Sequence, residues 1–130
     1  MGFEIGTDGF AAWLDGYKKA WEERDGSQAA ALFTADATYA ETPFDPPLVG
    51  RDAIAAYWDK VVSGQKDVTF TYEVLAASGA EGICHWHSAF TGAAGGEAID
   101  LDGIFRCRFA GPGEVAAFEE WWHIRVVPAG

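Results

Sequence analysis

The sequence predicts an α+β fold built as one domain over residues 1–130, and three observations lead there. Apolar residues follow a helical spacing through the first half of the chain and alternate with polar residues through the second. Glycine clusters separate the alternating segments, while no linker, repeat or low-complexity tract interrupts the chain. Helices that precede a run of antiparallel strands form the α+β pattern, in which one sheet face is covered by the helices. A chain of 130 residues buries roughly two thirds of its unfolded surface, so a core is available without disulfides or a structural metal.

Each element follows from local chemistry. Phe10, Trp13, Leu14, Tyr17 and Trp21 recur at helical spacing after Thr7 and Asp8, which predicts a first amphipathic helix over about residues 8–24 with one of those two as its cap. Asp25-Gly26-Ser27 offers a stop and a new cap, and the alanine-rich Gln28 to Phe33 fits a short second helix. Alternation over Ala37 to Glu41 predicts a strand, which Pro43, Pro46 and Pro47 end because proline cannot continue a ladder. After Gly50, with Asp52 in its first turn, Ile54, Trp58, Val61 and Val62 mark a third helix that stops near Ser63-Gly64. Val68, Phe70, Tyr72 and Val74 alternate with Thr69, Thr71 and Glu73, and further strands are predicted over about residues 82–91, 98–109 and 114–127.

Charge narrows the partners. Nine Lys+Arg stand against 20 Asp+Glu, a formal net charge of −11, and nothing longer than Lys18-Lys19 clusters positive charge. Nucleic acid is therefore excluded as a partner, because binding it needs many cations to displace counterions. No apolar run reaches transmembrane length, so no membrane partner is expected. The start, MGFEIGTDGF, carries neither a basic segment nor an apolar stretch before a cleavage site, and a cytoplasmic location is expected. Cys84 and Cys107 are too few for a disulfide framework and are expected to be reduced and buried.

The late strands are apolar on both faces. Leu101, Phe105, Cys107 and Phe109 share one face of the strand expected over about residues 98–109, and Phe118, Trp122, Ile124 and Val126 share one face of the last strand. Trp121 lies opposite with Glu119 and His123. One face packs on the helices; the other leaves Trp121 and Ile104 bare unless something covers them. A symmetric homodimer through the sheet face, with Trp121, His123, His85 and His87 at its centre, is the economical expectation.

The stretch YKKAWEERDGSQAAALFTADATYAETPFDPPLVGRDAIAAYW, Tyr17 to Trp58, resembles the N-terminal half of the NTF2-like superfamily. That group includes SnoaL-like polyketide cyclases, ketosteroid isomerase, scytalone dehydratase and limonene epoxide hydrolase. Its pattern is a helix ending in a short polar turn, a second helix closing on Leu32-Phe33, then Ala35-Asp36-Ala37-Thr38, a strand, a proline loop and a glycine followed four residues later by isoleucine. The resemblance implies a cone-shaped fold, three N-terminal helices packed in a strongly curved antiparallel sheet, with a pocket at the wide end and usually a homodimer. It places Tyr17 where ketosteroid isomerases have their oxyanion-hole tyrosine and Glu41 where they have their catalytic aspartate base. Their second, protonated aspartate has no clear counterpart: Asp100 and Asp102 have the opposite parity from Phe105 and Phe109, and only a bulge near Gly103 would turn one inward.

These residue types suit proton transfer on their own terms. Removing a proton beside a carbonyl needs a shielded carboxylate and a donor for the developing enolate oxygen. Glu41 and Tyr17 supply them, and an aromatic surround of Trp13, Trp21, Tyr39, Trp58, Phe105 and Trp122 would raise the carboxyl pKa by desolvation. Glu120 is a second candidate acid, because it shares the apolar face of Phe118 and Trp122. The expected ligand is small and hydrophobic, polycyclic or aromatic, handled without a cofactor; the alternative is a non-catalytic binding or dimerisation module using the same cavity.

His85-Trp86-His87 places two imidazoles on one strand face, and His123 could join them in a metal site or a dehydratase-like acid-base role. The cupin pattern would want a glutamate where Thr91 and Gly92 stand, so no metal ligands are assigned and hydrogen bonding at a dimer face is expected. Arg106 and Arg108 are expected on a charged outer face. Gly95-Gly96 and Gly111-Pro112-Gly113 open no helix and are turn glycines, not phosphate cradles.

Overall fold

The computed structural model describes residues 3–130. Helix α1 (Gly6–Glu22), α2 (Gly26–Ala30), strand β1 (Phe33–Ala40), β2 (Leu48–Val49), α3 (Arg51–Val62) and four long strands, β3 (Gln65–Ser78), β4 (Glu81–Gly92), β5 (Ala98–Gly111) and β6 (Glu114–Val127), follow in that order. The strands form one curved, unclosed sheet in the order β2-β1-β6-β5-β4-β3, with the helices packed on its concave side. The α+β, NTF2-like architecture expected from the sequence is the one observed.

Boundaries depart from the expectation where backbone bonds override local signals. Thr7 and Asp8 do not cap α1: the Ile5 amide donates to Gly79 O at 2.9 Å, and the helix begins at once. Asp25 does cap α2, its carboxylate accepting from the Ser27 and Gln28 amides. The helix stops three residues before Phe33, because the Leu32 carbonyl turns to accept from the Val115 amide and from Trp13 Nε1. Phe33 therefore opens β1. Gly50 begins α3 at φ +93°, a conformation that favours glycine. The two-residue strand β2, pairing Thr38 with Val49, gave no sequence signal.

The sheet is also not wholly antiparallel. Strands β3 to β6 form an antiparallel meander, but β1 pairs with β6 in parallel, Tyr39 beside Phe118 and Ala40 beside Glu119. Proline at 43, 46 and 47 turns the chain away there, so β6 from Glu120 onward continues beside β5 alone.

The core is an aromatic cluster between α1 and the concave face. Phe10, Trp13, Leu14, Tyr17 and Trp21 are all buried, and they meet Phe70, Trp86, Phe105, Phe109 and Phe118 from the sheet. Phe118 stacks on Tyr39 with ring centres 4.5 Å apart, and Phe105 stacks on Trp86 at 4.8 Å. Such pairs add to what burial alone contributes. Cys84 and Cys107 are buried free thiols in this face. Trp122, Ile124 and Val126 have the same parity as Phe118 but stay exposed at 37%, 54% and 50%, because β6 outruns the helices that cover its first half. No helix among the described residues is long and apolar enough to cross a membrane.

Gly103 sits in register between Trp86 and Trp122, with no bulge there. A Cβ on it would run into the Trp121 carbonyl and come within 3.0 Å of Trp86 Cζ2. Gly103→Ala should therefore destabilise the domain by about 1–3 kcal/mol, the usual cost of overpacking a filled interior, read as a lower denaturation midpoint at unchanged slope.

Candidate active site

A cavity of about 210 Å³ lies between the C-terminal half of α1, α3 and the concave face. Tyr17 and Trp21 reach it from α1, Tyr39 from β1, and Glu41 from the residue after β1. Tyr57, Trp58 and Val61 come from α3, and Gln65, Trp86, Phe90 and Leu101 from β3 to β5. Glu120, Trp122 and Ile124 close it from β6.

The structure thus brings together Tyr17, Trp21, Tyr39, Glu41, Trp58, Glu120 and Trp122 from the expected set, and leaves out Trp13 and Phe105. Trp13 lies one turn earlier on α1, wedged edge-on between Phe33 and Phe109, with its Nε1 donating to Leu32 O at 2.9 Å. Phe105 is fully buried one layer deeper, behind Trp86 and Tyr17, whose ring centres are 4.8 and 5.0 Å away. Helical spacing could have suggested Tyr57 and Val61, and strand parity places Trp86 opposite its flanking histidines. Gln65 gave no signal: it is buried because its Oε1 accepts from Trp21 Nε1 at 2.8 Å.

The polar groups of the cavity are few and lie close to one another. Tyr17 and Tyr39 join hydroxyls at 3.3 Å. Burial, and next the charge of Glu120, hold both phenols well above their usual range, so they are neutral hydroxyls. Glu41 is half-buried; desolvation first, then the neighbouring Asp45 carboxylate, raises its pKa. Trp122 Nε1 donates to the Glu41 carbonyl at 3.1 Å and holds the residue beside β6. Glu120 is only 8% exposed, and among the described residues its carboxyl has no hydrogen-bond or ion-pair partner. Burial, then the charge of Glu41, pushes its pKa well above the ordinary carboxylate range. The ring N–H groups of Trp58 and Trp86 are likewise buried without partners, so the walls carry an uncompensated polar cost.

The histidines are elsewhere. His85 and His87 point from the convex face, where His85 Nε2 lies 2.9 Å from Asp102 Oδ1 and His87 Nε2 lies 3.3 Å from Asp100 Oδ1. Hydrogen bonding to Asp102 raises the His85 pKa and lowers that of its partner. Asp100 is also held by Arg125 at 2.7 Å, and Arg106 bonds Glu81 at 2.8 Å on the same outer face. Neither aspartate turns inward, and none of the three histidines lines the cavity, although His123 lies in the outer recess that Glu41 and Glu120 also line. Among the described residues no group of three or more His, Cys, Asp or Glu is placed to hold a metal ion.

A model of the SnoaL-like domain matches residues 8–118. Solved structures of the same fold include a protein with a ketosteroid isomerase-like fold from Catenulispora acidiphila DSM 44928 in complex with trimethylamine, at 15% identity and TM-score 0.74 over 84% of this chain and 83% of that one. The epoxide hydrolase/cyclase-like enzyme SalBIII of pyran ring formation in the polyether salinomycin matches at 17% identity and TM-score 0.76, over 89% of this chain and 94% of that one. A computationally designed 17-OHP binder matches at 16% identity and TM-score 0.77, over 92% and 97%. No curated protein matches the sequence at a significant level.

Because the Glu120 pKa is raised only in the folded state, its effect on stability has a definite sign. Below the unfolded carboxyl range the group is protonated in both states and contributes nothing; as pH rises through that range the unfolded chain ionises first and the fold loses stability. Glu120→Gln removes this loss, so its melting temperature relative to wild type should climb as pH rises above the ordinary carboxylate range, from about pH 4 upward. A pH-independent difference in thermal unfolding would show Glu120 to be ionised and solvated instead.

Proposed function

The chain belongs to the SnoaL-like domain family, and from that premise we propose that it binds a small hydrophobic ligand, polycyclic or aromatic, in this cavity and transfers a proton on it, with Glu41 as general base and Tyr17 as hydrogen-bond donor. The observation that carries the reading is that Glu41 and Tyr17 line one largely aromatic cavity. Desolvation there raises the basicity of Glu41 while Tyr17 stays a neutral donor. In isomerase, cyclase and dehydratase chemistry alike, the base takes a proton from carbon or oxygen and a donor stabilises the charge that develops. Glu120, on the same wall, is a second carboxyl group whose hold on a proton is strengthened by burial. That a SalBIII-type enzyme and a designed steroid binder share the fold supports both halves of the reading, ligand capture and acid-base chemistry.

Ligand capture without chemistry is the second reading. It is favoured by the Tyr17–Tyr39 hydroxyl pair, which satisfies the two phenols by each other, 3.3 Å apart. We further propose a homodimer through the convex face. Trp121, 43% exposed, stands there beside Ile104 across the β5–β6 ladder, with the His85, His87 and His123 side of the sheet around it.

With 2-naphthol as a planar hydroxylic probe, binding should strengthen as pH rises through the raised Glu41 pKa, because the carboxylate accepts the probe's hydroxyl. Glu41→Gln should flatten that dependence, and Tyr17→Phe should weaken binding about tenfold, or about 1.4 kcal/mol. Unchanged behaviour in Glu41→Gln would remove Glu41 from the site. Light scattering should give twice the 14.0 kDa chain mass for the wild type and the single-chain mass for Trp121→Ala.

A further inference from the structure

We infer that the ligand of this cavity is an organic cation, a methylated alkylammonium head carried on an apolar body. The inference rests on the ligand-binding reading above and specifies the ligand's charge. The walls contain two carboxylates, Glu41 and Glu120, and no Lys, Arg or His. Glu120 is more than nine-tenths buried, aimed into the cavity, and has no partner among the described residues. A buried carboxylate in apolar surroundings is costly unless something supplies the opposite charge. Nothing on the protein's side of the cavity does.

The rest of the wall is built for a soft cation. The Trp21 and Trp58 rings meet edge to face, 5.5 Å apart at 88°, and Trp86 joins Trp21 at 5.7 Å, so three indoles form a corner, with Tyr57 and Tyr39 paired at 5.6 Å on another side. The negative faces of such rings attract ammonium groups, tryptophan most strongly. A primary ammonium brings three N–H donors, for which this cavity is short of free acceptors: the Gln65 Oε1 is already taken by Trp21 Nε1. A methylated head needs no acceptors. Its methyl groups rest on the rings, and its charge is met by the carboxylates at longer range. The approach is graded as well. The net charge of −11 draws cations toward the molecule, and Glu41 stands where the cavity meets the outer recess formed with Phe44 and Trp121.

The test compares benzyltrimethylammonium with its uncharged carbon isostere, neopentylbenzene, by tryptophan fluorescence and calorimetry on the whole chain at physiological ionic strength. The cation should bind at least tenfold more tightly than the isostere, and Glu41→Gln/Glu120→Gln should erase that preference while leaving isostere binding in place. If the double variant does not fold, Glu41→Gln alone should reduce the preference severalfold. An isostere that binds the wild type as well as the cation does would overturn the cation assignment and leave the hydrophobic-ligand reading standing. Cation binding that both variants retain in full would place the probe outside the cavity and overturn it equally. Failure of both probes to bind would remove the ligand-binding reading along with it.

Discussion

Everything in this molecule is keyed to the aromatic face of α1 lying in the concavity of the sheet. Tyr17 is the pivot of that contact, with ring centres of Phe105, Trp58, Phe70 and Phe118 at 5.0, 5.2, 5.5 and 5.9 Å. On its N-terminal side the space is filled by Trp13, Phe33 and Phe109. On its C-terminal side Trp21 reaches the sheet at Phe70 and Trp86, and the cavity is the space left between these rings, α3 and β6. One helix face therefore seals the core and builds the site. A substitution that loosens it would be felt in both, since close-packed interiors pass small volume changes to their neighbours.

The two faces of the sheet divide the chain's charge. The convex face is a lattice of mutually compensated groups, with Asp100 held by Arg125 and His87, Asp102 by His85, and Arg106 by Glu81 and Glu119. The pairs are solvated and each contributes little to stability. The concave face excludes charge, with Glu120 the buried exception. That contrast is what singles Glu120 out chemically: a carboxyl group among 20 acidic residues, placed on a cavity wall that carries no cationic side chain.

Periodicity made most of the fold legible, because one side chain in two, or one in three or four, must face the core. The alternation of β3 to β6 put Phe70, Trp86, Phe105 and Phe118 inward and His85, Asp102 and Arg106 outward, and the register without a bulge at Gly103 kept that parity along β5. What escaped was set by contacts between distant segments. The parallel seating of β1 on β6 and the early start of β1 depend on Leu32 meeting Val115, 83 positions away in the chain (115 − 32 = 83). The expected pocket walls show the same divide. Glu120 and Trp58 follow from parity and helical spacing, but Trp13 and Phe105 share those periodicities and still miss the cavity, because depth along the cone is fixed by the crossing of α1 over the sheet. Gln65, with no apolar character, is buried only through its bond to Trp21.

The place of β6 ties the two halves of the sheet together. It follows β5 in the chain, yet it lies between β1 and β5 and joins the N-terminal layer to the meander. Until it emerges, β1 has only the two-residue strand β2 beside it, and the inner aromatic surfaces of α1 and β1 lack Val115 and Phe118 to close against. Contacts of such long sequence separation form slowly and leave apolar surface open in the interim. The meander of β3 to β5 can assemble by local pairing, whereas the cavity has no wall of Glu120 and Trp122 until β6, the strand that carries them, is seated.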